Sequence, residues 1–121
     1  MLVHVVEDDP AVQRLLVRLL ESAGWRVRAF AALEAARAAT LAGLPDLLLT
    51  DLSLPDGSGV ELIRQVRARA PDLPILVVSG LADERDRDRA EAAGADDYLA
   101  KPFGGDEVLA RCARLVARAA V

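Results

Sequence analysis

Two apolar runs of strand length, Leu47-Leu48-Leu49 and Ile75-Leu76-Val77-Val78, lack the polar alternation of a strand with one wet face. A strand apolar on both sides must be covered on both sides, which is the condition of a parallel sheet held between two layers of helices. The first run ends at Thr50 and Asp51 and drops into the turn residues Pro55-Asp56-Gly57, and the second ends at Ser79-Gly80. Ligands of open parallel sheets bind at the carboxyl edge, so Asp51 is a site candidate as well as a turn residue.

The remaining segments fit the same frame. Leu2 to Val6, apolar apart from His4, predicts a first strand that ends in Glu7-Asp8-Asp9. Asp9 is placed to cap a helix that Pro10 starts, and Val12, Leu15, Leu16, Leu19 and Leu20 give it a continuous apolar stripe until Gly24. Trp25 to Phe30 alternates, with Arg26 and Arg28 opposite Trp25 and Val27, as a charge-protected edge strand does. Ala32 to Leu41 reads as a short helix, about 58–70 as a third and the charged segment Ala82 to Ala93 as a fourth. Asp97 to Lys101 is a short fifth strand, and Val108, Leu109, Cys112, Leu115 and Val116 mark a last helix. Five alternations of strand and helix predict an α/β fold with a parallel sheet.

A length of 121 residues suits a single domain, 1–121, with one core. The net charge of −4, with acids and arginines interspersed, offers no basic stripe for a phosphate backbone, so direct nucleic-acid binding by this chain is not expected. No apolar stretch approaches the roughly 20 residues of a membrane span, and Met1-Leu2-Val3 has no basic leader, so no membrane association and a soluble, cytoplasmic protein are expected. Cys112 is the single cysteine and excludes an intrachain disulfide. It reads as core, His4 as a satisfied interior histidine, Trp25 as edge-strand packing, and Asp9 and Asp56 as caps or turn residues.

If all strands are parallel, one edge collects Glu7 and Asp8, Asp51, Ser79 and Lys101. Lys101 is the sharpest clue, because the chain uses arginine at fourteen positions and lysine at this one only. A compact ammonium on a flexible stem fits a place that must reach a single phosphoryl oxygen, where a planar guanidinium demands more room.

Four ordered blocks, VVEDDP at 5–10, LLLTDLSLPDGSG at 47–59, ILVVSG at 75–80 and GADDYLAKPF at 94–103, make the chain resemble the response-regulator receiver domains of two-component signalling over its whole length. Its motifs are most similar to receivers of winged-helix (OmpR/PhoB-type) regulators. The resemblance implies a flavodoxin-like, doubly wound (βα)5 fold with strand order 2-1-3-4-5. It also implies a phosphorylation-activated switch in which Asp51 accepts a phosphoryl group from a histidine kinase. By position, Glu7 and Asp8 resemble the acidic pair. Asp8, Asp51 and the Ser53 carbonyl would bind Mg²⁺ directly, with Glu7 acting through a water. Ser79 resembles the hydroxyl switch residue, Tyr98 the aromatic switch, Lys101 the conserved lysine and Pro102 the cis proline that aims it.

Elementary charge arithmetic agrees, since three carboxylates and one lysine leave a site that a divalent cation neutralises, and Mg²⁺ prefers such hard oxygen ligands. Crowding of the three carboxylates predicts that Asp8→Asn or Asp51→Asn relieves repulsion in the metal-free fold. Arg87, Asp96, Asp97, Glu107, Arg111 and Arg114 resemble the charged set through which winged-helix regulators form a homodimer on phosphorylation, with intersubunit pairs Asp97/Arg111, Asp96/Arg114 and Arg87/Glu107. The predicted fourth helix lacks any large apolar residue, so it should dock loosely. Two rival readings use the same residues. A haloacid-dehalogenase-type Mg²⁺ phosphatase wants its nucleophile after the first strand and an Asp two residues on, where this chain has Ser53. A pseudo-receiver would keep the fold without phosphorylation, yet every site residue is present.

Overall fold

The computed structural model describes residues 1–80 and 83–120. Its main sheet consists of β1 (Leu2–Val6), β2 (Arg26–Phe30), β3 (Leu47–Thr50), β6 (Ile75–Ser79) and β7 (Asp97–Ala100), all parallel, in the order β2-β1-β3-β6-β7. Among the sheet's own five strands this is the expected 2-1-3-4-5. The two intervening numbers belong to an antiparallel ribbon, β4 (Ser53–Leu54) with β5 (Gly57–Ser58), which forms inside the loop after Asp51. Two-residue strands carry no periodicity, so the sequence reads as plain loop there.

The helices are α1 (Pro10–Ser22), α2 (Leu33–Ala42), α3 (Gly59–Arg69), α4 (Glu84–Ala93) and α5 (Gly105–Ala119). Alternate residues of each strand feed two separate cores. Val3, Val5, Leu47, Leu49, Leu76, Val78 and Leu99 pack with Leu16 and Leu20 of α1 and Val108, Cys112 and Leu115 of α5. Val6, Leu48, Ile75, Val77 and Tyr98 pack on the other face with Ala36, Leu62, Ile63, Val66, Ala90 and Ala93 of α2, α3 and α4. The unalternating apolar strands are thus explained by a helix layer on each side.

Three local expectations need adjustment. Leu15 is 47% exposed and lies outside the core, because α1 meets the sheet along Leu16 and Leu20 and a neighbouring position lies about 100° round the helix. The predicted start of the fourth helix at Ala82 falls outside the described residues. From Asp83 onward the helix is capped by that residue's side chain, which accepts a hydrogen bond from the Arg85 amide at 2.8 Å. Ser79 belongs to β6 itself, opposite Ala100, and is fully buried.

Only alanines, Ala90 and Ala93, bury themselves from α4, and both lie in its C-terminal half. That end is secured by Arg67 of α3, which donates from Nε and Nη2 to the Gly94 carbonyl at 3.0 and 2.6 Å and from Nη2 to Asp96 at 3.0 Å. Its Nη1 donates to the carbonyls of Ala70, Pro71 and Leu73. Gly94 has φ +121, and a Cβ there would lie 2.7 Å from Arg67 Cγ, so the clamp requires glycine. No helix among the described residues is long and apolar enough to cross a membrane.

Candidate functional site

Strand register alone brings the polar residues together. Val6 is opposite Thr50, Thr50 opposite Val77, and Ser79 opposite Ala100, so Glu7, Asp51, Ser79 and Lys101 all emerge at the carboxyl edge. Backbone bonds continue the ladders into the site: Asp51 N donates to the Val6 carbonyl and Lys101 N to the Ser79 carbonyl, both at 2.9 Å. The resulting open cavity is lined by Glu7, Asp8, Asp9, Asp51, Ser53, Ser79, Gly80 and Lys101.

Lys101 lies between two carboxylates. Its Nζ is 2.5 Å from Glu7 Oε1 and 2.8 Å from Asp51 Oδ2. The peptide bond from Lys101 to Pro102 is cis. Asp51 Oδ1 accepts from the amides of Leu52 at 2.7 Å and Ser53 at 3.2 Å, so both oxygens of this carboxylate are oriented by donors. Glu7 Oε2 accepts from the Asp9 amide at 3.1 Å. Burial opposes the charge of Lys101, but its bonds to Asp51 and Glu7 outweigh it and hold its pKa above the ordinary value. Burial raises the Glu7 carboxyl, with the bonds from Lys101 and the Asp9 amide opposing and the Asp51 charge adding to the rise.

Asp8 is exposed, whereas Glu7 and Asp51 are buried; one oxygen from each of the three lies within 4.8 Å of the others. An acidic pocket of three carboxylates balanced by a single ammonium fits a small hard divalent cation.

Residues that sequence reading did not single out support the site from behind. Thr50 Oγ1 donates to the Asp51 carbonyl at 2.8 Å, and Gln13 Nε2 of α1 donates to the Glu7 carbonyl at 2.9 Å. Gly59 closes against the phosphoacceptor candidate so tightly that a Cβ there would lie 2.1 Å from the Asp51 carbonyl oxygen. Its place in the GSG at the start of α3 was visible, but not the contact it permits.

Tyr98 is 6% exposed, beside Ser79, with the Arg87 guanidinium 5.0 Å from its ring centroid. Burial raises its pKa, with the Ser79 hydroxyl opposing. The ring is therefore already inside. The six charged residues assigned to a dimer face lie on α4, at the start of β7 and on α5, and five of them pair within the chain while Arg87 lies over the Tyr98 ring. Asp97 accepts from Arg111 at 3.0 Å and Arg114 at 3.1 Å, Glu107 accepts from Arg111 at 2.9 Å, and Asp96 is held by Arg67. Long charged side chains on one face find the nearest partner, and sequence spacing does not reveal which that is.

His4 is fully buried, with Nδ1 2.9 Å from Thr40 Oγ1 and its ring edge-on to Phe30. Cys112 is buried in the α5 core, and burial pushes its thiol up to about 12.

Known proteins resemble this chain over most of its length. The model of the response regulator receiver domain matches residues 3–113. The chain is 43% identical over 109 residues to the KDP operon transcriptional regulatory protein KdpE of Escherichia coli, covering 90% of this chain and 48% of that protein. It is 40% identical over 119 residues to the phosphate regulon transcriptional regulatory protein PhoB of Rhizobium meliloti, covering 97% and 52%. The chain therefore spans about half the length of these curated relatives. Among solved structures, a putative response regulator from Chloroflexus aurantiacus superposes with a TM-score of 0.89 at 36% identity, covering 96% of this chain and 97% of that one. A BeF3-activated DrrB receiver domain gives 0.85 at 28% identity, covering 96% and 97%. Asp51 follows the central strand, not the first as the phosphatase reading requires. On the joint weight of sheet order, edge residues and relatives, the chain belongs to the response regulator receiver domain family, the phosphorylation-activated switches of two-component signalling.

Proposed function

We propose that Asp51 accepts a phosphoryl group from a histidine kinase and that the signal leaves through α4, β7 and α5. The observation that carries this reading is the bridging of Asp51 and Glu7 by the chain's single lysine at the sheet's carboxyl edge. The Asp51 carboxylate, its plane fixed by the Leu52 and Ser53 amides, attacks phosphorus. The donor's imidazole nitrogen departs with the N–P bonding pair. Lys101 stabilises the developing charge on the phosphoryl oxygens, and the Ser79 hydroxyl bonds one of them after transfer. Glu7, Asp8, Asp51 and the Ser53 carbonyl fit Mg²⁺, which would neutralise the site so that an anionic phosphoryl donor can approach. The same groups assist hydrolysis of the acyl phosphate, so the chain takes part chemically in its own phosphorylation and dephosphorylation.

Because Tyr98 is already buried, phosphorylation secures it in place through Ser79 instead of drawing it in from solvent. Arg87 links this event to the surface, since it covers the Tyr98 ring and belongs to the proposed dimer face. Homodimerisation through Arg87, Asp96, Asp97, Glu107, Arg111 and Arg114 then exchanges intrachain pairs for intersubunit ones. Each exchange gains little, because exposed ion pairs contribute about 0–1 kcal/mol, and the two-fold repeat supplies register.

Intact mass after incubation with acetyl phosphate tests the acceptor. One phosphoryl adduct is expected with Mg²⁺, none in EDTA and none in Asp51→Asn; an adduct persisting in Asp51→Asn would refute the assignment. Sedimentation with beryllofluoride and Mg²⁺ tests the dimer, which Arg111→Glu should abolish; a wild type that stays monomeric when activated would remove it.

A further inference from the structure

Helix α2 has no cap of its own. Its N-cap position is Ala32, whose backbone is extended and whose side chain offers no acceptor. Both first amides are instead met from another part of the chain: Asp56 Oδ1 accepts from Leu33 N at 2.7 Å and Oδ2 from Glu34 N at 3.0 Å. These bonds, that from Glu34 first, lower the Asp56 pKa and keep it ionised, the form in which it caps best. Asp56 lies with Pro55 in the turn of the ribbon, between Leu54 and Gly57, which are opposite each other. The ribbon also lies flush on α2, since a Cβ on Gly57 would stand 2.7 Å from Leu33 Cδ2.

The other end of the ribbon is in the site. Ser53 is paired with Ser58, its amide donates to Asp51 Oδ1 at 3.2 Å, and its side of the loop lines the acidic cavity. A ribbon of two pairs cannot hold its own shape in water, so its position is set by what anchors its turn.

We propose that Asp56 is a positioning residue for phosphoryl transfer, fixing the ribbon to the N-terminus of α2 so that Ser53 keeps its amide on Asp51 and its carbonyl toward the acidic cavity. The inference rests on the reading of Asp51 and Ser53 given above. Support at one remove from a ligand commonly alters metal affinity by 10-fold to 100-fold when it is removed. Asp56→Ala is therefore expected to weaken Mg²⁺ binding about tenfold and to slow phosphorylation mainly at low Mg²⁺.

A second variant separates positioning from helix capping. Ala32→Asp places an acceptor at the proper N-cap of α2, on backbone already in the conformation a cap uses, without touching the ribbon. In the Asp56→Ala background it should restore the melting temperature but neither Mg²⁺ affinity nor the slow hydrogen exchange of the Ser53 amide in metal-free protein. The measurements are thermal melts, calorimetric Mg²⁺ titration and amide exchange on wild type, Asp56→Ala and Asp56→Ala/Ala32→Asp. Recovery of stability alone supports the inference. Full recovery of all three by Ala32→Asp, or an unaltered Asp56→Ala beside an active wild type, overturns it while leaving the Asp51 reading intact. A wild type that neither binds Mg²⁺ nor accepts phosphate overturns both.

Discussion

Lys101→Met probes the electrostatics of the site most sharply. The ammonium has 21% of its side chain exposed and lies 2.5 Å from a Glu7 carboxylate that is 1% exposed and 2.8 Å from an Asp51 carboxylate that is 7% exposed. Methionine keeps the length and removes the charge, leaving two buried anions facing each other. At an effective dielectric constant of about 20, a unit pair at about 4 Å interacts by about 4 kcal/mol, and stripping one partner from a fully buried pair costs about 3–5 kcal/mol. Lys101 still touches solvent, so we expect a loss of about 2–3 kcal/mol in EDTA at neutral pH, or about 10 °C in melting temperature for a chain of this size. The decisive comparison is Asp51→Asn in both backgrounds. In the wild type it removes a bonded partner of Lys101, so the relief of crowding read from the sequence does not appear and stability is unchanged or slightly lower. In Lys101→Met the same change removes a stranded anion and stabilises by about 1–2 kcal/mol. Urea and thermal melts of the four proteins complete the cycle. Additive effects, or a Lys101→Met protein as stable as wild type, would refute the view that this lysine holds the carboxylates together.

Three further outcomes follow from buried groups. Burial, helped by the Arg28 charge, depresses the His4 pKa below 6.5. The unfolded chain therefore takes up a proton that the folded one refuses, so stability present above about pH 6.5 is lost as the pH falls through the depressed value. His4→Val should flatten that loss in pH-dependent melts, and an equally steep decline in the variant would contradict it. Gly59→Ala should destabilise by about 3 kcal/mol and impair phosphorylation, since its Cβ meets the Asp51 carbonyl at 2.1 Å. A near-normal melting temperature would show that the α3 start can shift. The Cys112 thiol, pushed up to about 12, should resist alkylation at neutral pH until denaturant is added; rapid labelling of the native chain would place it nearer solvent than the core described above.

Most of this architecture was legible because parallel sheets leave plain traces. Leu47–Leu49 and Ile75–Val78 could be strands of only one kind, and their carboxyl ends fixed where Asp51 and Ser79 would meet Lys101. The convergence of Glu7, Asp51, Ser79 and Lys101 was readable because each sits at a strand end, where register needs no side-chain detail. Contacts between distant segments were not readable. Asp56 announces a turn or cap, but nothing local says that the amides it satisfies lie at Leu33 and Glu34. Arg67 is one arginine among fourteen until the chain folds five carbonyls and carboxylates around it. The ion pairs of Asp97 illustrate the same limit: Arg111 and Arg114 are one helical turn apart and both reach the same acid, a choice made by side-chain length and the tilt of α5.

Asp51 as the covalent acceptor is open to direct chemical reading. Borohydride reduces an aspartyl phosphate to homoserine, marking the acylated carboxylate permanently for tandem mass spectrometry. After treatment with acetyl phosphate and Mg²⁺, homoserine is expected at position 51 alone, and nowhere when Mg²⁺ is replaced by EDTA. A phosphoryl adduct that leaves position 51 unreduced, or homoserine at Asp8 in its place, would contradict the account.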